Sequence, residues 1–84
     1  IKREMRETNS RSLVNLSPGE HGVVRKIRGG QGTRRNLENL GVREGTSIKV
    51  ISRHFKGGPV VIMSGSTRVA IGFGMASKVL VETG

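Results

Sequence analysis

Apolar positions in this chain come in short clusters separated by glycine, and most clusters alternate. Leu13 and Leu16 lead into Ser17-Pro18-Gly19-Glu20, where proline presets φ and glycine supplies the positive φ of a tight turn. The segment from Gly22 to Arg28 sets Gly22, Val24 and Lys26 on one face and Val23, Arg25 and Ile27 on the other. That imperfect alternation predicts a curled strand. Gly29-Gly30-Gln31-Gly32 ends it, and Thr33 is the expected cap of a short helix running to Leu40, with Leu37 and Leu40 on one face. Gly41 stands where a left-handed residue closes a helix, and Val42 can then touch Leu37 as in a Schellman ending. About two turns of helix do not survive alone, so this one must pack on a sheet.

Beyond the Glu44-Gly45 turn, Thr46 to Arg53 alternates well, with Ile48 and Val50 on one face and Lys49, Ile51 and Arg53 on the other, which predicts a half-buried strand. Gly57-Gly58-Pro59 breaks the chain before Val60-Val61-Ile62-Met63, which predicts a buried strand. Gly65-Ser66 is a hairpin turn of the kind that begins with glycine, returning the chain into Thr67 to Ile71. Gly72 to Ser77 is irregular or a single helical turn, and Lys78 to Glu82 closes as a last strand. The expected fold class is mainly β: a small SH3-like barrel of about five strands, with one short helix after the first long strand, since closure removes exposed strand edges. A chain of 84 residues carries one core. The expected division is a basic, disordered polar tail over 1–12 and the barrel domain over 13–84. The tail has no apolar stretch of the kind a secretory signal needs, and no apolar run approaches the roughly 18 residues of a spanning helix. A cytoplasmic location, at most at the inner face of the membrane, is the expectation.

Composition narrows the chemistry. Cysteine and aspartate are absent, and the six acids are glutamates spread from Glu4 to Glu82. Phosphoryl transfer on Mg²⁺ and paired-carboxylate hydrolysis need clustered carboxylates, and no nucleophile, base and orienting group stand together in the pattern. The reading is a binding protein, not an enzyme, with no catalytic residues and no cofactor. The net charge of +9 first suggests an anionic partner. The tail holds +2 of it, while Arg25, Lys26, Arg28, Arg34, Arg35 and Arg43 crowd one stretch.

Arg28, Arg34, Arg35 and Arg43 are therefore the candidate partner-binding cations. Free N–H groups at the start of a helix beside guanidinium groups can hold an anion, although no Gly-Lys-Ser/Thr follows to complete a nucleotide loop. Arg34 and Arg35 in the first helical turn oppose the helix dipole, at about a few tenths of a kcal/mol each; unfavourable placement of charge hints at function. Phe73 and Met75, flanked by glycines, either form an exposed apolar contact or plug one end of the barrel. His21 and His54 match no local metal motif, so no metal site is expected. Two phenylalanines are too few for base stacking along a single strand.

The ordered set Leu13, Leu16, Pro18-Gly19-Glu20, Gly22, Val24, then Arg35, Leu37, Leu40-Gly41-Val42, Gly45-Thr46, Ile48 and Val50 resembles the core signature of the ferrous iron transport protein A (FeoA) family. Gly57-Gly58-Pro59-Val60, Gly65, Val69-Ala70-Ile71, Ala76, Val79 and Val81 resemble its second half. The resemblance implies an SH3-like barrel in the cytoplasm, a non-catalytic accessory of ferrous iron uptake, and a partner in the FeoB-type membrane transporter or its GTP-binding domain, with no nucleic acid expected. Between Ala70-Ile71 and Ala76 the family often carries charged residues, where this chain has Gly72-Phe73-Gly74-Met75, so contacts made there by relatives do not transfer. The alternative is a basic nucleic-acid-binding barrel, which the net charge motivates.

Overall fold

A computed structural model describes residues 10–54 and 56–83. The elements in chain order are β1 (Ser10–Ser12), a 3-10 turn (Leu13–Asn15), β2 (His21–Ile27), α1 (Gln31–Asn39), β3 (Ser47–Arg53), β4 (Val60–Ser64), β5 (Thr67–Ile71), α2 (Phe73–Ala76) and β6 (Val79–Glu82). The strands form one antiparallel sheet in the order β1-β6-β2-β3-β4-β5. This is the mainly β, SH3-like architecture expected, with one strand more than the apolar pattern marks.

The additional strand is β1, at the end of the segment assigned to the tail. Ser10, Arg11 and Ser12 pair with Glu82, Val81 and Leu80, and no alternation announces them because all three are polar. Backbone pairing holds β1, and Ser12 reinforces it by donating from Oγ to the Ser77 carbonyl at 3.1 Å. Residues 1–9 of the expected tail lie outside the described residues.

Two bulges bend the sheet, and the first explains the imperfect alternation from Gly22 to Arg28. In β2, Val24 faces Val81 and Lys26 faces Leu80, so Arg25 is an extra residue in the ladder. Val24 and Ile27 are thereby both buried although three positions apart. In β3 the register shifts between Val50, opposite Ile62, and Ser52, opposite Val61. An extra residue bends its strand and increases the twist, and the curled sheet wraps a core of Leu13, Leu16, Leu37, Val42, Ile62, Ile71, Val79 and Val81. The close approach of β6 to β2 requires Gly22: a Cβ there would lie 2.4 Å from the Glu82 carbonyl oxygen. In the β4–β5 hairpin Gly65 has φ +64° while Ser66 stays at negative φ, the glycine-first turn expected.

Helix α1 departs from expectation at its start and matches it at its end. It begins at Gln31 with Gly30 as N-cap and no side-chain cap, so Thr33 lies inside the first turn. At the other end the Val42 N–H donates to the Leu37 carbonyl (2.8 Å) and the Gly41 N–H to that of Glu38 (2.9 Å), the two bonds of a Schellman motif. Gly41 takes φ +90° as that motif requires. Leu37 and Val42 are fully buried, whereas Leu40, now the cap residue, is 36% exposed.

Candidate partner-binding surface

Arg28 is the first residue beyond β2. Its N–H donates to the Lys78 carbonyl at 2.8 Å, continuing the β2–β6 pairing by one step, and both side chains are exposed. Gly29 then turns the chain at φ +99° into the start of α1, and a Cβ there would stand 3.3 Å from the Lys78 side chain. Lys78 therefore lies against the loop that Arg28 opens. The sequence reading missed Lys78 because it is fifty positions from Arg28 in the chain; the pairing of the first long strand with the last is the only signal that joins them.

Arg34 and Arg35 are the fourth and fifth residues of α1, beyond the first turn where the sequence places them, so the expected dipole penalty and the hint drawn from it fall away; with Gln31 and Glu38 they line a shallow polar hollow on the helix. Arg34 reaches out of it to Glu44, donating from Nη2 at 3.2 Å and Nη1 at 3.5 Å. Both groups are solvated, so the pair contributes about 0.2–1 kcal/mol at most, while it ties the helix start to the turn that carries Arg43. That turn is set by the Thr46 N–H on the Arg43 carbonyl (3.0 Å) and by the Arg43 N–H on Thr46 Oγ1 (3.4 Å), leaving the Arg43 side chain exposed. Arg28, Arg35 and Arg43 have no carboxylate within ion-pair distance among the described residues. Glu44 was not singled out by sequence, since a glutamate in a Glu-Gly turn carries no sign of a helix ten positions upstream.

Phe73 and Met75 belong to α2, which packs on the 3-10 turn. They divide the two roles open to them. Met75, like Val14, is half-buried against the core, and Phe73 is 44% exposed between two glycines. The helix runs directly into the basic region, because the Lys78 N–H donates to the Met75 carbonyl at 3.0 Å. One stretch of surface thus passes from Phe73 through Lys78 and Arg28 to the loop before Arg34 and Arg35.

Several charges away from this surface are tied into the fold. Glu20 accepts the Ser17 N–H at 2.8 Å on one oxygen and Arg11 Nη2 at 2.7 Å on the other. The backbone bond first, and the guanidinium second, hold its carboxyl below the usual carboxylate range. Arg25, the bulge residue, pairs with Glu82 at 3.1 Å, and Arg53 donates to the Val14 carbonyl beneath the 3-10 turn. His21 opens β2 and His54 follows β3, both exposed. No group of three or more His, Cys, Asp or Glu is placed to hold a metal among the described residues, and no described helix is long and apolar enough to cross a membrane.

A relative from Methanocaldococcus jannaschii, named as an Fe(2+) transport protein A, is 39% identical over 70 residues, covering 83% of each chain. A crystal structure described as the iron uptake regulatory protein FeoA superposes with a TM-score of 0.82 at 37% identity, covering 87% of this chain and 96% of that one. A manganese-dependent transcriptional repressor shares the fold at a TM-score of 0.82 and 21% identity, with this chain matching 41% of its length. The FeoA domain family model matches residues 11–83, and the chain belongs to the FeoA domain family.

Proposed function

We propose that this protein is a non-catalytic cytoplasmic accessory of ferrous iron uptake that binds and modulates a FeoB-type membrane transporter or its GTP-binding domain. The observation that carries the reading is the family match over residues 11–83, together with 39% identity to a protein named for Fe(2+) transport. The contact surface is the run from Phe73 and Met75 across Lys78 and Arg28 to Arg34, Arg35 and Arg43. Its cations lack carboxylate partners on the described chain, apart from Arg34, and its exposed phenylalanine supplies an apolar anchor. Solvated cations around one aromatic suit an acidic protein face, where charge steers the encounter and the ring contributes burial.

Interferometry with the immobilised GTP-binding domain of the transporter, and with the full transporter in lipid discs, tests the reading. Saturable binding is expected, weakened at least tenfold by Arg28→Glu combined with Arg35→Glu. No binding to either form overturns the partner. Labelled DNA and RNA, measured by anisotropy at two salt concentrations, serve as the competing arm: tight affinity that falls steeply with salt would assign the +9 charge to nucleic acid instead. Iron is cargo in this reading. Stoichiometric micromolar binding of Fe²⁺ to the isolated chain, lost in His54→Ala, would overturn that part.

A further inference from the structure

The sheet has two ends, and they differ in what they leave exposed. At one end β1 is three residues long and its central side chain, Arg11, is engaged by Glu20. At the other end β5 runs for five residues, Thr67–Ile71, paired with β4 on one side, and no described strand pairs with its other side. The register of the hairpin says which peptide groups that edge presents. Ser64 and Thr67 close a two-residue turn and pair directly, and the pairing continues without a shift to Val60 and Ile71. In such a hairpin the closing pair exchanges hydrogen bonds and the ladder then alternates. Thr67, Val69 and Ile71 bond inward to β4, so the N–H and C=O groups of Arg68 and Ala70 point to the open side. No described backbone partner takes them.

The side chains sort by the same alternation. Val69 and Ile71 face the core, while Arg68 and Ala70 stand on the outer face. Arg68 lies in a row with Met63 and Lys49 across β4 and β3, and it has no carboxylate within ion-pair distance among the described residues. A strand laid against β5 would therefore meet two free backbone positions, a cation beside its outward side chains and apolar residues beside its inward ones. A second copy of the chain, itself at +9, would bring a second Arg68 to this edge, so charge disfavours pairing of β5 with itself.

We infer that the open edge of β5 is a docking site for an extended acidic segment of a partner protein, added as a seventh strand on the backbone groups of Arg68 and Ala70, with Arg68 reading an acidic side chain. Strand addition of this kind takes affinity from main-chain bonds and selectivity from alternate side chains. The inference rests on the reading of the chain as a protein-binding module and adds a second contact, separate from the Arg28 and Phe73 surface.

The probe is an acetylated, amidated peptide of alternating glutamate and valine matched to the length of β5, fluorescently labelled, with a lysine-valine peptide as control. Saturable binding of the acidic peptide is expected, together with slowed amide exchange at Arg68 and Ala70. Ala70→Pro, which removes an outward N–H and keeps the β4 pairing, should weaken binding at least tenfold with an unchanged thermal midpoint. Arg68→Glu should weaken it at least tenfold as well, and it decides the matter with the exchange data if the proline variant does not fold. Equal binding by Arg68→Glu, equal binding of the lysine-valine peptide, or no saturation by about 1 mM peptide overturns the site and leaves Arg68 as a guard against strand pairing. Self-association of the chain that Ala70→Pro abolishes overturns the occupant. Binding of the transporter that is unaffected by either β5 variant sinks this site and spares the proposed function, whereas peptide binding without transporter binding does the reverse.

Discussion

Two turns in this molecule are held by an arginine and a glutamate, and they use the pair to opposite ends. In the first, Glu20 spends both oxygens on the fold: one takes the Ser17 N–H and the other takes Arg11 of β1. The same turn is anchored to β3 by the Gly19 N–H on the Val50 carbonyl and by the Val50 N–H on the Glu20 carbonyl, both at 2.8 Å. In the second, Glu44 meets Arg34 through one oxygen in solvent, and the neighbouring cations Arg28, Arg35 and Arg43 stay uncompensated. The first region neutralises charge to close the sheet. The second holds charge in place and leaves it available, as the proposed contact surface requires.

The sharpest way to break that division is from beneath α1. If the helix is a rigid platform for Arg34 and Arg35, its anchor is Leu37, fully buried and clasped by the Schellman ending at Val42. Leu37→Ala should cost about 2–5 kcal/mol, read as a lowered urea midpoint, and partner binding should fall with it. A variant that kept its binding while its midpoint fell would mean that the helix positions its cations without needing its buried face.

The next effect belongs to Glu20. Its folded carboxyl titrates below its ordinary value, so it contributes stability that is fully present above the unfolded value near 4.5 and is lost as pH falls through the folded one. Thermal midpoints measured from pH 7 down to pH 3 should therefore drop more steeply for the native chain than for Glu20→Gln, which lacks the titrating group. Glu20→Gln should also lower the midpoint at pH 7, because it keeps the Ser17 bond and loses the charge that Arg11 meets. Parallel acid limbs in the two proteins would mean that neither the Ser17 bond nor the Arg11 pair favours the ionised carboxylate in the folded chain.

How much of this was legible in the sequence follows from which interactions are local. The Schellman ending was readable because Leu37, Gly41 and Val42 lie within six positions, and the glycine-first hairpin because its two turn residues state their own φ. The bulge at Arg25 was visible only as spoiled alternation and the one at Ile51 not at all, since the register that defines them needs the partner strands β6 and β4. Strand β1 was missed because three polar residues at a sheet edge are held by main-chain bonds, which have no side-chain signature. Thr33 was misread as a cap because Gly30 starts the helix with no side chain at all. On the candidate surface, the arginines stood out by local density. Lys78 and Glu44, which complete it, join it through pairing across the fold.

The smallest effect is the most discriminating, because it asks whether the Arg34–Glu44 pair is a strut or a bystander. As a solvated pair it should show a coupling of about 0.2–1 kcal/mol in a double-mutant cycle of Arg34→Ala and Glu44→Ala. Salt at several times the physiological level should erase most of that coupling, since the screening length then falls to about 3–5 Å. Arg35→Ala, on the same helix without a described carboxylate partner, should move stability by no more than about 0.5 kcal/mol and should not couple to Glu44. If Glu44 serves to aim Arg34, then Glu44→Ala should weaken transporter binding although it adds no positive charge and removes a negative one. Plain electrostatics predicts the opposite, since deleting an acid from a basic surface should strengthen the attraction of an acidic partner. Affinity that rises in Glu44→Ala would therefore make the second turn a reservoir of charge that Glu44 merely dilutes, and affinity that falls would make it a positioned site.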